Sequence, residues 1–250
     1  MNETLFLNEY FIRVNEILRE ITQNETHHLL AGAEMIATAV AAKNRAYILG
    51  CTHSAILAED VFYRAGAPAF WQPLWGPGMS IAQTPGFLTT AVEHNEKMGE
   101  DIVNCSQIGK DDVLVVISTS GKNAAPVAVA DAALRKGASV IAICSGNYKN
   151  YAGNHSAFMN LHAIPGILLI DNHVPLGDVS CMVCGDTPMG PLSTIAGSFI
   201  IHTLSALTVE KLRSKGITAP VFMSSNAPGG KEKNEELLGR KEIMNRFMLP

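Results

Sequence analysis

The sequence predicts an α/β fold, a three-layer doubly wound sandwich on a five-stranded parallel sheet, and three observations carry that expectation. Short all-apolar runs alternate with stretches of helical period. The apolar runs lack the in-and-out alternation of a half-exposed strand. Two of them end in turns of glycine and small hydroxyl residues. Strands covered on both faces by crossover helices have no solvent side, so they lose alternation, and this is the mark of a parallel sheet.

Each element follows from its local pattern. From Leu5 to Gln23, Leu, Phe, Ile and Val recur at helical spacing, and a second helix is expected from Thr26 to Ala42. The run "RAYILG" reads as the first strand, and "SAILAEDVFYRAG" follows as a helix stopped at Gly66. "PAFWQPLW" is the second expected strand, succeeded by the Gly- and Pro-rich loop "GPGMSIAQTPG". A helix from Thr89 to Asn104 then carries Glu93, His94 and Glu96 on its way to the third strand, "DVLVVIS". Next come the helix "NAAPVAVADAALRKG", the strand "SVIAIC", a polar loop and the strand "GILLID". "GPLSTIAGSFIIHTLSALTVEKLRSKG" reads as a long, largely apolar C-terminal helix, and the rest as an extended tail without a strong period until its end. The expected organisation is one domain: N-terminal helices over 1–43, the α/β core over 44–215 and the tail over 216–250.

Composition narrows the partners. The chain has 250 residues, 47% hydrophobic and 17% charged, so core-forming material is plentiful and part of it is available for a homodimer or larger assembly. A formal net charge of -4 offers no long-range attraction for nucleic acid or anionic membrane. No apolar run has the length of a membrane span, and the mixed-charge N-terminus does not read as a signal peptide, so a cytoplasmic location is expected. The five cysteines are an odd number, which suits reduced thiols. Cys181 and Cys184 form a C-x-x-C pair, but no second C-x-x-C or H-x-x-x-H accompanies it, and neither a metal nor another cofactor is expected.

In an open α/β sheet, ligands sit outside the carboxyl ends of the strands, where neighbouring connections diverge to opposite faces. Two turns are candidates for that place: "LGCTHSA", with Gly50, Thr52, His53 and Ser54, and "ISTSGKN", with Ser118, Thr119, Ser120, Gly121 and Asn123. A helix N-terminus leaves backbone N–H groups unpaired and carries partial positive charge. Short hydroxyl side chains add donors suited to a tetrahedral oxyanion. The helix dipole contributes about 0.3–1 kcal/mol, whereas each hydrogen bond to a charged group contributes about 1.5–3 kcal/mol, so fixed donors decide affinity. Ser and Asn are also ordinary helix caps, so each turn alone has two readings, a phosphate cradle or a plain helix start.

Taken together, "GCTHSAILAEDVFYRAGAPAF" and "VVISTSGKNAAPVAVADAALRKGASVIAI" resemble the SIS, or sugar isomerase, family of phosphosugar-binding domains. "DNHVPLGD", "GPLSTIAG" and "APVFMSSNAPGGKEKN" extend the similarity, over nearly the whole chain, to a bacterial branch labelled phosphoheptose isomerase. The resemblance implies a flavodoxin-like SIS fold, a sugar phosphate as ligand, and a paired assembly whose sites draw on the neighbouring subunit. Two positions depart from the family pattern: Thr52 stands where a glycine is usual, and Asn123 where many members have threonine. Thr52 brings a Cβ near the ligand, which narrows the pocket or demands a less usual backbone angle.

Interconverting an aldose phosphate and a ketose phosphate, or the corresponding amino-sugar phosphates, needs a base next to the carbonyl and an acid to move a proton between oxygens. The candidates are Glu59, Glu93 and His53, with Glu96 three residues beyond Glu93 and expected on the same helix face. Asn172, within "DNHVPLGD", and Ser193 with Thr194, opening the last helix, are further candidate ligand contacts; Asp171 and Asp178 are candidates for ordering the pocket. His202 reads as a core or interface histidine, and His27, His28, His155 and His162 as surface residues. Three activities fit the pattern: an isomerase, a non-catalytic phosphosugar sensor, and a lyase cleaving an ether from an amino-sugar phosphate. A dinucleotide-binding domain fits less well, because neither turn offers G-x-G-x-x-G.

Overall fold

The computed structural model describes residues 5–82 and 85–248; Gln83 and Thr84 of the Gly- and Pro-rich loop lie outside the described residues. In chain order the elements are α1 (Leu5–Asn24), α2 (Thr26–Ala41), β1 (Ala46–Gly50), α3 (Ala55–Val61), β2 (Trp71–Pro73), α4 (Leu88–Glu93), α5 (Glu96–Cys105) and β3 (Val113–Ile117). They continue with α6 (Ala124–Arg135), β4 (Ser139–Cys144), β5 (Leu168–Asp171), β6 (Cys181–Val183), β7 (Thr187–Met189), α7 (Ser193–Ser214), α8 (Gly230–Leu238) and α9 (Lys241–Met248).

The five main strands form one parallel sheet in the order β2-β1-β3-β4-β5, as the apolar runs predict. Because strand side chains alternate, each apolar run feeds two cores. Ile48, Val115 and Ile141 pack with residues of α1, α2, α3 and α7, whereas Tyr47, Leu114 and Val140 pack with residues of α5 and α6. All five residues of β1 and of β3 are buried, which explains their unbroken apolar sequence. Among the described residues, no helix is long and apolar enough to cross a membrane.

Strand order reverses between β1 and β3. The chain leaves β1 through α3 on one face of the sheet and leaves β3 through α6 on the other. Gly50 is the register partner of Ile117, so the two hydroxyl turns leave the sheet side by side at the switch point.

Two expectations are corrected, and one unassigned segment gains an element. The helix expected from Thr89 to Asn104 is two helices, because Asn95 interrupts it: its backbone is extended and its side chain accepts the Met98 N–H, starting α5 afresh. The extended tail contains α8 and α9. It is anchored by an antiparallel bridge of Val221 to Pro68, by the Asn234 side chain on both backbone groups of Met223, and by a small core of Ala69, Phe222, Leu237 and Ile243. The C-x-x-C segment, unassigned in the sequence, begins the β6–β7 hairpin, with Cys181 buried and Cys184 exposed.

Candidate functional site

The first turn is shaped by Gly50. A Cβ there would lie 2.1 Å from the Ser54 carbonyl oxygen, so the chain can fold back over the strand end only with glycine. Thr52 takes φ +54, the left-handed region where a β-branched residue is strained. Its N–H donates to the Met79 carbonyl at 2.7 Å, and it bridges to Ser80, so the neighbouring loop holds the strained residue in place.

The second turn is held through its carbonyls. Thr119 accepts the Ser145 N–H at 2.8 Å, and Gly121, at φ +62, accepts the Leu161 N–H at 2.7 Å. The backbone N–H groups of Ser120, Gly121, Lys122 and Asn123 donate to nothing among the described residues. Asn123 stands at the start of α6 without capping it; the Ala124 N–H is taken instead by the Asn154 side chain at 2.9 Å. The same Asn154 amide donates to the His94 carbonyl at 3.0 Å, tying the α4–α5 break to the start of α6. That tie sets Glu93, the last residue of α4, against Asn123, whose side chain hydrogen-bonds its carboxyl. Burial pushes the Glu93 carboxyl above its ordinary range, partly offset by that hydrogen bond and by the nearby His94 and His53.

Both turns line one cleft of about 390 Å³. Thr52, His53 and Ser54 come from the first turn, Ser118, Thr119, Ser120 and Asn123 from the second, with Glu93 beside them. Ser193 and Thr194 at the start of α7, together with Asp178, form the facing wall. Asp178 is fully engaged: one carboxylate oxygen accepts the N–H groups of Leu192 and Ser193 at 2.8 and 3.0 Å, and the other accepts the Ser193 hydroxyl at 2.6 Å. Ser193 therefore spends its proton on Asp178 and offers the cleft lone pairs.

Other candidates lie elsewhere. Gly50 and Glu59 line a separate hollow with Trp75 and Met79, where the Glu59 carboxylate accepts the Ser80 hydroxyl at 2.8 Å. Helical geometry explains this: five residues past Ser54, Glu59 has turned to another side of α3. Gly121 and Asn172 stand behind the wall. Gly121 supplies the positive φ, and buried Asn172 reaches the Thr119 hydroxyl at 3.4 Å while accepting the Val174 N–H. Glu96 does not share a helix with Glu93. It accepts both the N–H and the hydroxyl of Ser156, which lower its pKa, and it anchors the 154–158 loop. His155, expected at the surface, has its side chain buried in that loop, its Nδ1 accepting from Ala157 and Phe158. His202 meets Asp60 at 2.7 Å on the outer side of α7, and burial and Arg64 hold it below the usual imidazole range.

Tyr148 and Gly177 also line the cleft, joined by a hydrogen bond from the Gly177 N–H to the Tyr148 hydroxyl at 2.8 Å. The sequence pattern does not single them out. Yet they follow the fourth and fifth strands, so the rule that singles out the ends of β1 and β3 would have found them had it been applied along the whole edge.

A family model for the SIS domain matches residues 9–145, more than half of the chain. The chain belongs to the SIS domain family. Along 97% of its length this SIS chain is 31% identical to a UPF0309 protein of Shouchella clausii, covering 99% of that relative. Over 85% of its length it is 36% identical to a UPF0309 protein of Brucella anthropi, covering 86% of that one. Its fold is similar to that of the phosphoheptose isomerase from Neisseria gonorrhoeae, with a TM-score of 0.54 at 17% identity over 83% of this chain and 97% of the other. The matched segment spans both hydroxyl turns and Glu93, so the family likeness falls on the strand ends that build the cleft.

Proposed function

We propose that the cleft binds a sugar phosphate and interconverts its aldose and ketose forms through an enediol. The phosphate sits against the turn 118–123, where unpaired backbone N–H groups and three hydroxyl residues supply donors. Ser54 completes the grip from the first turn. Glu93 removes the proton next to the carbonyl and returns it to the adjacent carbon, while His53 carries a proton from one sugar oxygen to the other. Glu93 carries this reading: a carboxyl whose burial raises its pKa is poised as a base, and it lies in the same cleft as the phosphate donors.

The assembly proposed with it is a homodimer or larger, in one domain unit per chain. A broad hollow of about 730 Å³ along the outer face of α7, lined by Ile195, Phe199 and Ala206, supports a second copy there, and Thr194 belongs to both hollow and cleft. Five unpaired thiols support a reducing, cytoplasmic setting.

The test is solvent exchange. Incubation with a panel of aldose and ketose phosphates in heavy water should place deuterium next to the carbonyl. Glu93→Gln should bind the same sugar within about threefold and exchange at least ~100-fold more slowly. Exchange at the wild-type rate in that variant removes Glu93 as the base. Tight binding without exchange in the wild type leaves a sensor, and release of an ether-linked group leaves a lyase.

A further inference from the structure

The cleft is polarised, and its polarity bears on which sugar phosphates it admits. At one end, Ser54, Ser118, Thr119, Ser120 and the backbone of the second turn present donors; Thr119 is held there by the Asn172 amide, which leaves its hydroxyl proton available. The other end is acidic. The Asp178 carboxylate accepts three hydrogen bonds from the start of α7, which fix it in place at the positive end of that helix. The Ser193 hydroxyl points its proton at Asp178 and its lone pairs elsewhere. Tyr148 is the exception at this end, a neutral hydroxyl that has accepted the Gly177 N–H. Glu93 lies at the donor end, beside Asn123, and His53 is the one group on the wall able to carry positive charge, because among the described residues no lysine or arginine lines the cleft.

From this arrangement we propose that the site takes monophosphates with an uncharged far end and excludes a second anion, with Asp178 as the excluding charge. The inference rests on the sugar-phosphate reading and narrows it. A single phosphate satisfies the donors of the second turn. A carboxylate or second phosphate at the opposite end meets a fixed negative charge and acceptor lone pairs, with no cation to compensate. A hydroxyl in the same place donates to those acceptors. At the separations of a sugar chain, repulsion across a partly solvated cleft reduces binding about tenfold.

The probes are sorbitol 6-phosphate and 6-phosphogluconate, open chains of equal length that differ only in a terminal hydroxymethyl or carboxylate. Inorganic phosphate is the reference, and binding is measured by calorimetry at low salt. Sorbitol 6-phosphate should bind about tenfold more tightly than 6-phosphogluconate, and Asp178→Asn should narrow that ratio at least threefold. Where Asp178→Asn fails to fold, the wild-type ratio at high salt decides, since screening a charge repulsion must narrow it. If sorbitol 6-phosphate does not bind more tightly than 6-phosphogluconate, or if the ratio is unmoved by Asp178→Asn, or by salt where that variant does not fold, the inference is overturned while phosphate binding stands. If inorganic phosphate and both sugar derivatives all fail to bind, the sugar-phosphate reading itself fails.

Discussion

Replacing Gly50 by alanine tests the geometry on which the cleft depends. The added Cβ would stand 2.1 Å from the Ser54 carbonyl oxygen, 2.3 Å from its carbon and 2.8 Å from the Ala55 nitrogen, where ordinary contact begins at 3.4 Å. These are backbone atoms, so no side chain can rotate away; the first turn must retreat by about 1 Å. Forcing extra volume into a packed site costs about 1–3 kcal/mol. At this chain length that lowers the melting temperature by about 2–12 °C. The same retreat takes Ser54 out of reach of a bound phosphate, and losing one hydrogen bond to a charged group weakens binding by about 1.5–3 kcal/mol, roughly 10- to 150-fold. Gly109→Ala is the control, because a Cβ there meets nothing within 4 Å. Melting curves with and without phosphate, together with calorimetric affinities, read both effects. A Gly50→Ala protein with wild-type melting temperature and phosphate affinity would refute the account of the first turn.

Two further outcomes follow from strain and from charge. Thr52→Gly relieves a β-branched residue at φ +54, worth about 1–2 kcal/mol, against roughly 0.5–1 kcal/mol of added chain entropy, so the variant should be more stable by about 0.5–1 kcal/mol in urea titrations. A loss of stability would mean that the Thr52 side chain contributes more than its backbone angle costs. Glu93→Gln bears on pH: burial raises the folded-state pKa of Glu93 above its ordinary 4.5, so the native state loses stability from this group as pH rises through the raised value. The glutamine variant should therefore match the wild type near pH 4 and exceed it at pH 8. A stability gap that is constant, or that runs the other way, excludes a raised carboxyl.

Much of this was legible along the chain, because the signals are local. The five expected runs became the five strands, and the signal is clearest in β1 and β3, where burial on both faces favours apolar side chains in either phase. The hydroxyl turns could be located because glycine and short donors are needed wherever a strand end gives way to a helix start. Even the strain at Thr52 was readable as a missing glycine. The β6–β7 hairpin and the tail helices were less legible: Cys181–Val183 and Thr187–Met189 are too short to show a period, and α8 buries only one edge, so its pattern is mostly charge.

What the sequence determined by itself was the parallel sheet, the place of both turns and the chemical type of their side chains. Tertiary structure decided what each carboxyl does. Glu59, Glu93, Glu96 and Asp178 carry the same chemical group, but α3 turns Glu59 aside, the break at Asn95 parts Glu96 from Glu93, and the start of α7 fixes Asp178 in the cleft wall. Side-chain chemistry is written residue by residue. The direction in which a side chain points, and the charge it can hold there, depend on the burial and hydrogen bonds that distant segments impose once they have packed.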